Sequence, residues 1–244
     1  MTTIILGLIT GTLIGLVGVG GILLVPLLVY FLDMDLHTAM ATCSFSFLFT
    51  GIAGSYSYIK QKSVYWPMVG WLTFGIIPGA VLGAKLNGYL PETILVVVLA
   101  ILIGFSGINS FFKNKESKTP RDKINLVWLI VIGMALGFGS ALTGTGGPVL
   151  LIPIFMMMQV PLIKAIGVSQ VIQLPIAIFA TLGFYLDQQV NIDFNLGFQL
   201  GIVQAIAVMG GAYIAHNIST LKLQKTVSVT LLGVACFLIF DNLF

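Results

Sequence analysis

Charged residues in this chain stand almost entirely between long apolar runs. A helix needs about 20 apolar residues to cross a bilayer core. Thr38 to Ile59, Trp66 to Ala84, Thr93 to Phe112, Ala165 to Leu186, Asn195 to Ala215 and Thr226 to Leu243 each suit one crossing. Two further runs are apolar but interrupted. Ile4 to Leu32 is broken at Gly18-Val19-Gly20-Gly21, and Asn125 to Met158 at Gly144-Thr145-Gly146-Gly147-Pro148. Of 244 residues, 58% are hydrophobic and 8% charged, whereas a soluble domain carries roughly a quarter charged residues. This excludes an ordinary globular domain and, equally, a disordered chain. It predicts an all-α polytopic membrane protein that forms one integral membrane domain with the lipid bilayer as its surroundings.

The only long polar stretch runs from Lys113 to Lys123, near mid-chain, and the two sides of it resemble each other. At an offset of 126, Gly7, Gly11, Gly18, Gly20 and Gly21 fall on Gly133, Gly137, Gly144, Gly146 and Gly147, and Gly15 falls on Ala141. A one-residue slip then sets Pro26 on Pro153. We read a duplicated unit, as many transporters have: a first repeat over 1–112, a cytoplasmic linker over 113–124 and a second repeat over 125–244.

Two topologies satisfy this pattern. All eight segments cross, in parallel repeats, or each broken run is a re-entrant hairpin, in inverted repeats of one hairpin and three transmembrane helices. Lys and Arg near short loops stay cytoplasmic. Eight crossings split the basic residues seven to four between the two sides; hairpins split them ten to one, with Lys85 alone opposite. The hairpin reading is therefore preferred, with both termini periplasmic or extracellular. Its arms, Ile4 to Val17 and Ile22 to Leu32, are each about half a bilayer long at about 1.5 Å per residue, so the tips are expected near the midplane.

A non-helical backbone survives at that depth only where protein or water satisfies it. The breaks are thus the candidate site. A half-helix starting after each break, at Ile22 and at Pro148, offers free N–H groups and a positive dipole end to an anion. The stripe Gly7, Gly11, Gly15 is read instead as close helix packing. Substrate-binding candidates at the breaks are Gly18, Gly20, Gly21, Thr143, Gly144, Thr145, Gly146 and Gly147. Neutral polar residues at matching places add Thr42, Cys43 and Ser44 in the second segment of the first half, and Ser169, Gln170 and Gln173 in its counterpart. Gln170 and Gln173 share one helix face, and Gln204 is a weaker candidate.

Every Asp and Glu lies in a loop or at the end of a predicted crossing, which argues against a carboxylate proton relay. No Arg is intramembrane to grip an oxyanion. His37 and His216 sit at segment ends, Cys43 and Cys236 do not make a disulfide framework, and the basic residues form no dense face for nucleic acid. No catalytic constellation, metal set or cofactor loop is expected.

The run Gly18-Val19-Gly20-Gly21-Ile22-Leu23-Leu24-Val25-Pro26-Leu27-Leu28 resembles the signature of the TauE/SafE, or sulfite exporter, family. Thr143-Gly144-Thr145-Gly146-Gly147 with Pro153, and Pro78-Gly79-Ala80-Val81-Leu82-Gly83-Ala84, resemble it too. Ile22 stands where many members have a third glycine. The resemblance implies a permease of the cell membrane for small sulfur-containing anions such as sulfite, sulfoacetate and other sulfonates, with a homodimer compatible with it. Alternative readings are an anion channel or a non-transporting scaffold. The topology makes a direct prediction: reporters fused at the C-terminus and inserted in 113–124 should map to opposite faces of the membrane, whereas eight full crossings would put both on one face.

Overall fold

The computed structural model describes residues 2–18, 20–112, 126–147, 160–187 and 190–215, with 151, 152, 154, 155, 158, 232, 233 and 236. Every regular element among them is helical: α1 (Thr2–Val17), α2 (Gly20–Leu32), α3 (Leu36–Lys60), α4 (Trp66–Asn87), α5 (Glu92–Phe112), α6 (Leu126–Thr143), α7 (Leu162–Leu186) and α8 (Phe194–Ala215). Helices close their own backbone hydrogen bonds, which is what an apolar solvent demands. Among the described residues, α3, α4, α7 and α8 are long and apolar enough to cross a membrane. Pro148, Pro153, His216, the expected crossing Thr226 to Leu243 apart from three of its residues, and all basic residues of the central stretch and the C-terminal part lie outside the described residues.

Local chemistry sets several starts. Asp35 caps α3 by accepting the Thr38 N–H at 2.9 Å. Partial burial raises the Asp35 carboxyl, but the Thr38 N–H and hydroxyl, Glu92 and His37 outweigh it and hold its pKa below the usual value. Proline opens α4, where its missing N–H costs nothing. Asp193 accepts the Leu196 N–H at 2.9 Å at the start of α8.

Glycine contacts fix how the helices run. A Cβ on Gly7 would meet Val203, on Gly11 Gln204 and on Gly15 Val208, so α1 and α8 lie parallel and close. On the other side of the molecule, Gly133 faces Leu72, Gly137 faces Ile76, Gly79 faces Met134 and Gly83 faces Phe138, so α6 and α4 do the same. Phe45 and Phe49 of α3 pack on Gly197 and Gly201, which sets α3 parallel to α8; Ala84 on Gly183 sets α4 parallel to α7. The two triples meet head to tail. Gly51 lies at Leu174 and Gly54 at Gln170, so α3 and α7 run antiparallel. These two helices are counterparts at the 126 offset. The first arm of each half therefore leans on a helix of the opposite half, as the small-residue stripes expected of close packing allow.

The chain folds back at both interruptions. Gly18 has φ +74°, a conformation that glycine adopts without penalty. Two residues later, a Cβ on Gly20 would strike the Thr10 carbonyl and Leu13, although ten residues of straight helix would separate them by about 15 Å. Three residues then join α2 to α3, which starts at the end where α1 starts. In the second half, Gly144, Gly146 and Gly147 have φ of +62°, +80° and +88°. The chain reaches the start of α7 at the end from which α6 set out. Neither interruption is a kink within one through-going helix.

Two expectations change. The arms are longer than expected: α1 has 16 residues and α6 has 18, roughly 24 and 27 Å at about 1.5 Å per residue. Their tips pass the middle of the bundle because glycine stripes keep packing favourable along their whole length. Helix α2 also begins at Gly20, not Ile22, since a residue without Cβ fits against α1 as soon as the turn closes. Side chains from other helices bond carbonyls near the end of each arm. Tyr58 donates to the Gly15 carbonyl at 2.8 Å, and Gln170 donates at 2.8 Å to that of Ile14, which also accepts the Gly18 N–H at 2.8 Å. Asn87, the last residue of α4, donates to the Leu142 carbonyl at 2.7 Å and its Oδ1 lies 2.9 Å from His37 Nδ1.

Charge sorts by end. Lys60, Lys62 and Lys164 share one end, where Gly167 abuts Ser63. Asp33, Asp35, Lys85, Glu92, Asp187 and Asp193 share the other, where Gly88 abuts Asp187. Between the ends, large apolar side chains such as Ile52, Phe74, Ile206 and Tyr213 point outward and exposed, as lipid contact requires. Helix α2 is enclosed, with Ile22, Leu24, Val25 and Leu28 fully buried.

The stripes generate a contrast. Gly15→Ala drives a Cβ into the Val208 carbonyl and should cost about 1–3 kcal/mol, read as a lower midpoint of thermal unfolding in detergent. Gly70→Ala and Gly210→Ala, with nothing within 4 Å, should be neutral or stabilising, because alanine is the better helix former. Asn87→Ala strips the Leu142 carbonyl of its buried partner and should cost about 1–3 kcal/mol in the same assay.

Candidate functional site

The start of α2 and the second interruption meet beside α3. A Cβ on Gly21 would lie 2.7 Å from the Thr145 carbonyl oxygen and 3.1 Å from Cζ of Phe47. A Cβ on Gly146 would lie 2.9 Å from the same Phe47 ring. One fully buried phenyl ring of α3 thus lies against both interruptions, which also touch each other. Only residues without side chains let the two backbones come this close to the ring. Helix α2 begins here, at Gly20, and its first N–H groups have no partner within the helix. Gly147 lies beside Ile176 and, at 3.4 Å from its would-be Cβ, the Ser140 hydroxyl.

The polar side chains around the junction are all neutral. Thr50 donates to the Phe47 carbonyl at 3.2 Å and accepts from Gln173 Nε2 at 2.8 Å. Thr143 and Thr145 join hydroxyls at 3.0 Å. Gln204 donates to the Thr10 hydroxyl at 2.9 Å, one helical turn before the Ile14 carbonyl that Gln170 caps. Ser140 Oγ and the Oε1 atoms of Gln170, Gln173 and Gln204 are buried without a hydrogen-bond partner. Buried polar atoms left this way normally signal water, a ligand or strain. Among the described residues, no three His, Cys, Asp or Glu come together.

The expected residues divide into three groups. Gly21, Thr145 and Gly146 are brought together at Phe47, with Thr143 adjoining through Thr145; Gly147 lies next along the chain, on Ile176, and Gln173 connects through Thr50 to the Phe47 carbonyl. Gly18, Gly20 and Gly144 shape the turns: Gly20 lies on Thr10 and Gly144 on Met40. The others serve elsewhere. Thr42 accepts the Asp193 N–H at 3.0 Å near the acidic end. Ser44 and Ser169 donate to carbonyls of their own helix, at Met40 and Ile166, at 2.9 and 2.8 Å. Cys43 is packed in the apolar core beside α2. Gln170 spends an amide N–H on the arm of the first hairpin, and its Oε1 abuts Gly54.

Sequence reasoning missed Phe47, Thr50, Ser140, Tyr58 and Asn87. A phenylalanine within an apolar run carries no signal of its own. Ser140 carried a weak one: it is a hydroxyl between the glycines of α6 and the second interruption.

Comparisons with known proteins agree with this architecture. Residues 3–238 match the family model described as Sulfite exporter TauE/SafE. The chain is 22% identical to Probable membrane transporter protein YdhB of Bacillus subtilis (strain 168), with 91% of each chain covered. It is 26% identical to Probable membrane transporter protein YunE of the same organism, over 99% of this chain and 97% of the relative. Identity is 28% to Probable membrane transporter protein MJ0441 of Methanocaldococcus jannaschii, over 68% and 65%. No solved structure matches. A chain matched over nearly its whole length, built of apolar helices around two interrupted hairpins, belongs to the sulfite exporter TauE/SafE family of multi-pass membrane transporters.

Proposed function

We propose that the protein is a secondary transporter that exports small sulfur-containing anions, such as sulfite, sulfoacetate or other sulfonates, across the cell membrane. The observation that carries the reading is the meeting of Gly21 and Gly146 on one phenyl ring. Each belongs to a hairpin that enters from a different end of the bundle, so displacing either hairpin uncovers the same place from the opposite side. The antiparallel course of α3 and α7, counterparts in the two halves, supports reading residues 1–112 and 125–244 as inverted repeats that exchange conformations. The open N-terminus of α2 and the hydroxyls near it favour an anion there.

In this reading the end that carries Lys60, Lys62 and Lys164 faces the cytoplasm with the linker 113–124, by the distribution of basic charge. Both termini then lie outside. A negative-inside potential drives each unit of negative charge outward by about 2.3 kcal/mol per 100 mV, so export needs no coupling ion.

Counterflow of labelled sulfite in proteoliposomes tests this. Unlabelled sulfite on the far side should accelerate the labelled flux, as a carrier requires. Gly146→Val, which forces a branched side chain into a φ of +80° and onto Phe47, should cut that flux at least tenfold with the protein still inserted at normal levels. Flux without trans-stimulation would instead favour a channel, and unchanged flux in the variant would remove the junction as the site.

A further inference from the structure

We infer that each hairpin tip is a gate lying beyond Phe47 from the end at which its hairpin enters, with Tyr58 and Gln170 as the latch of the first tip and Asn87 as the latch of the second. This rests on the transport reading above and adds which side chains hold each side shut.

The fold sets the two tips on opposite sides of Phe47. Helix α1 starts at the end that carries Asp33 and Asp35, yet its last turn lies towards the other end. Gln170, which bonds the Ile14 carbonyl, rests on Gly54, seven residues beyond Phe47 along α3. Helix α6 starts at the lysine end, and its tip lies the other way. Gly144 sits on Met40, seven residues before Phe47. Seven residues of helix span about 10 Å. The tips therefore overshoot Phe47 by similar distances in opposite directions. The first stands between Phe47 and the lysine end, and the second between Phe47 and the acidic end.

Each tip is held by side chains of helices outside its own hairpin. On the first, Tyr58 of α3 bonds the Gly15 carbonyl and Gln170 of α7 adds a bond to that of Ile14, both at 2.8 Å. On the second, Asn87 of α4 gives Nδ2 to the Leu142 carbonyl at 2.7 Å and to Met40 Sδ at 3.1 Å, while its Oδ1 faces His37 Nδ1. The bonds to the tips join neutral groups. Exchanging such a bond for one to water changes the free energy little, so the latch can open and reclose. A buried ion pair split at this depth would leave two costly charges. The lysine side also holds acceptors that closure leaves idle. Gln170 Oε1, in a residue 0% exposed, and Gln61 Oε1 are buried there without a hydrogen-bond partner. Water admitted by opening the first tip would supply the missing donors.

The test reads from which side of the membrane Phe47 can be reached. Thr50→Cys, beside Phe47, is placed in a background of Cys43→Ala and Cys236→Ala. A membrane-impermeant methanethiosulfonate reagent is then added to one face of vesicles of either orientation. Lys60→Cys and Lys85→Cys, exposed at the lysine end and the acidic end, identify the face in separate preparations. Asn87→Ala should raise the labelling rate from the acidic end at least about tenfold and not raise that from the lysine end. Tyr58→Phe, which removes one hydroxyl and keeps the ring, and Gln170→Leu should do the converse. Asn87→Leu, which keeps most of the side-chain volume, provides the same measurement should Asn87→Ala fail to insert. Equal gains from both ends, gains from the reversed ends, or no gain from either overturns the inference, while sulfite counterflow by the unsubstituted protein preserves the transport reading. Absence of that counterflow overturns both.

Discussion

Everything in this molecule follows from the need to give every backbone amide and carbonyl a partner where water is scarce. An unbroken helix meets that need by itself. Two interrupted ones cannot, and the rest of the chain is arranged around what they leave exposed. Tyr58 and Asn87 reach across from other helices to the carbonyls of Gly15 and Leu142, and Gln170 adds a second bond to that of Ile14. An unsatisfied buried carbonyl costs about 1–3 kcal/mol, so Tyr58 and Asn87 make the turns tolerable. Beyond these bonds, the start of α2 and the second interruption meet where Gly21 and Gly146 face Phe47.

The two hairpins are alike in outline and unlike in chemistry. The arm of the first is held by amide and phenol side chains from α3, α7 and α8, through Tyr58, Gln170 and Gln204. At the 126 offset, the partners of Thr10 and Ile14 are Leu136 and Ser140, and the hydroxyl of the latter has no hydrogen-bond partner. The second hairpin instead ties to Asn87 and, through it, to His37 at the acidic end.

Much of this was legible in the sequence. Glycines at intervals of four mark surfaces where helices approach closely, and their shared offset marked the duplication. The pairing was not legible: a stripe such as Gly7, Gly11, Gly15 says that some helix lies against it, not that the helix is α8. Depth was misread for a related reason. Gly18 and Gly144 show where an arm ends, but how far it reaches depends on the packing along it. At the site, Gly21, Thr145, Gly146 and Gln173 stood out as oddities in apolar runs. Phe47 did not, because it is ordinary there and becomes informative only between two glycines. Ser44 and Ser169 stood out equally, yet they bond to their own helices, an outcome that residue type alone does not separate from ligand binding.

The exchange of arms between halves has a consequence for biosynthesis. Helix α1 leaves the ribosome before the helix that fills its glycine stripe, α8, which follows nearly two hundred residues later. Until then the earliest hairpin sits in the membrane with its narrow face against lipid or an insertion chaperone. Neither half supplies the helix that its first arm packs along, so the two expressed as separate polypeptides should each be unstable and gain protection from proteolysis only when made together.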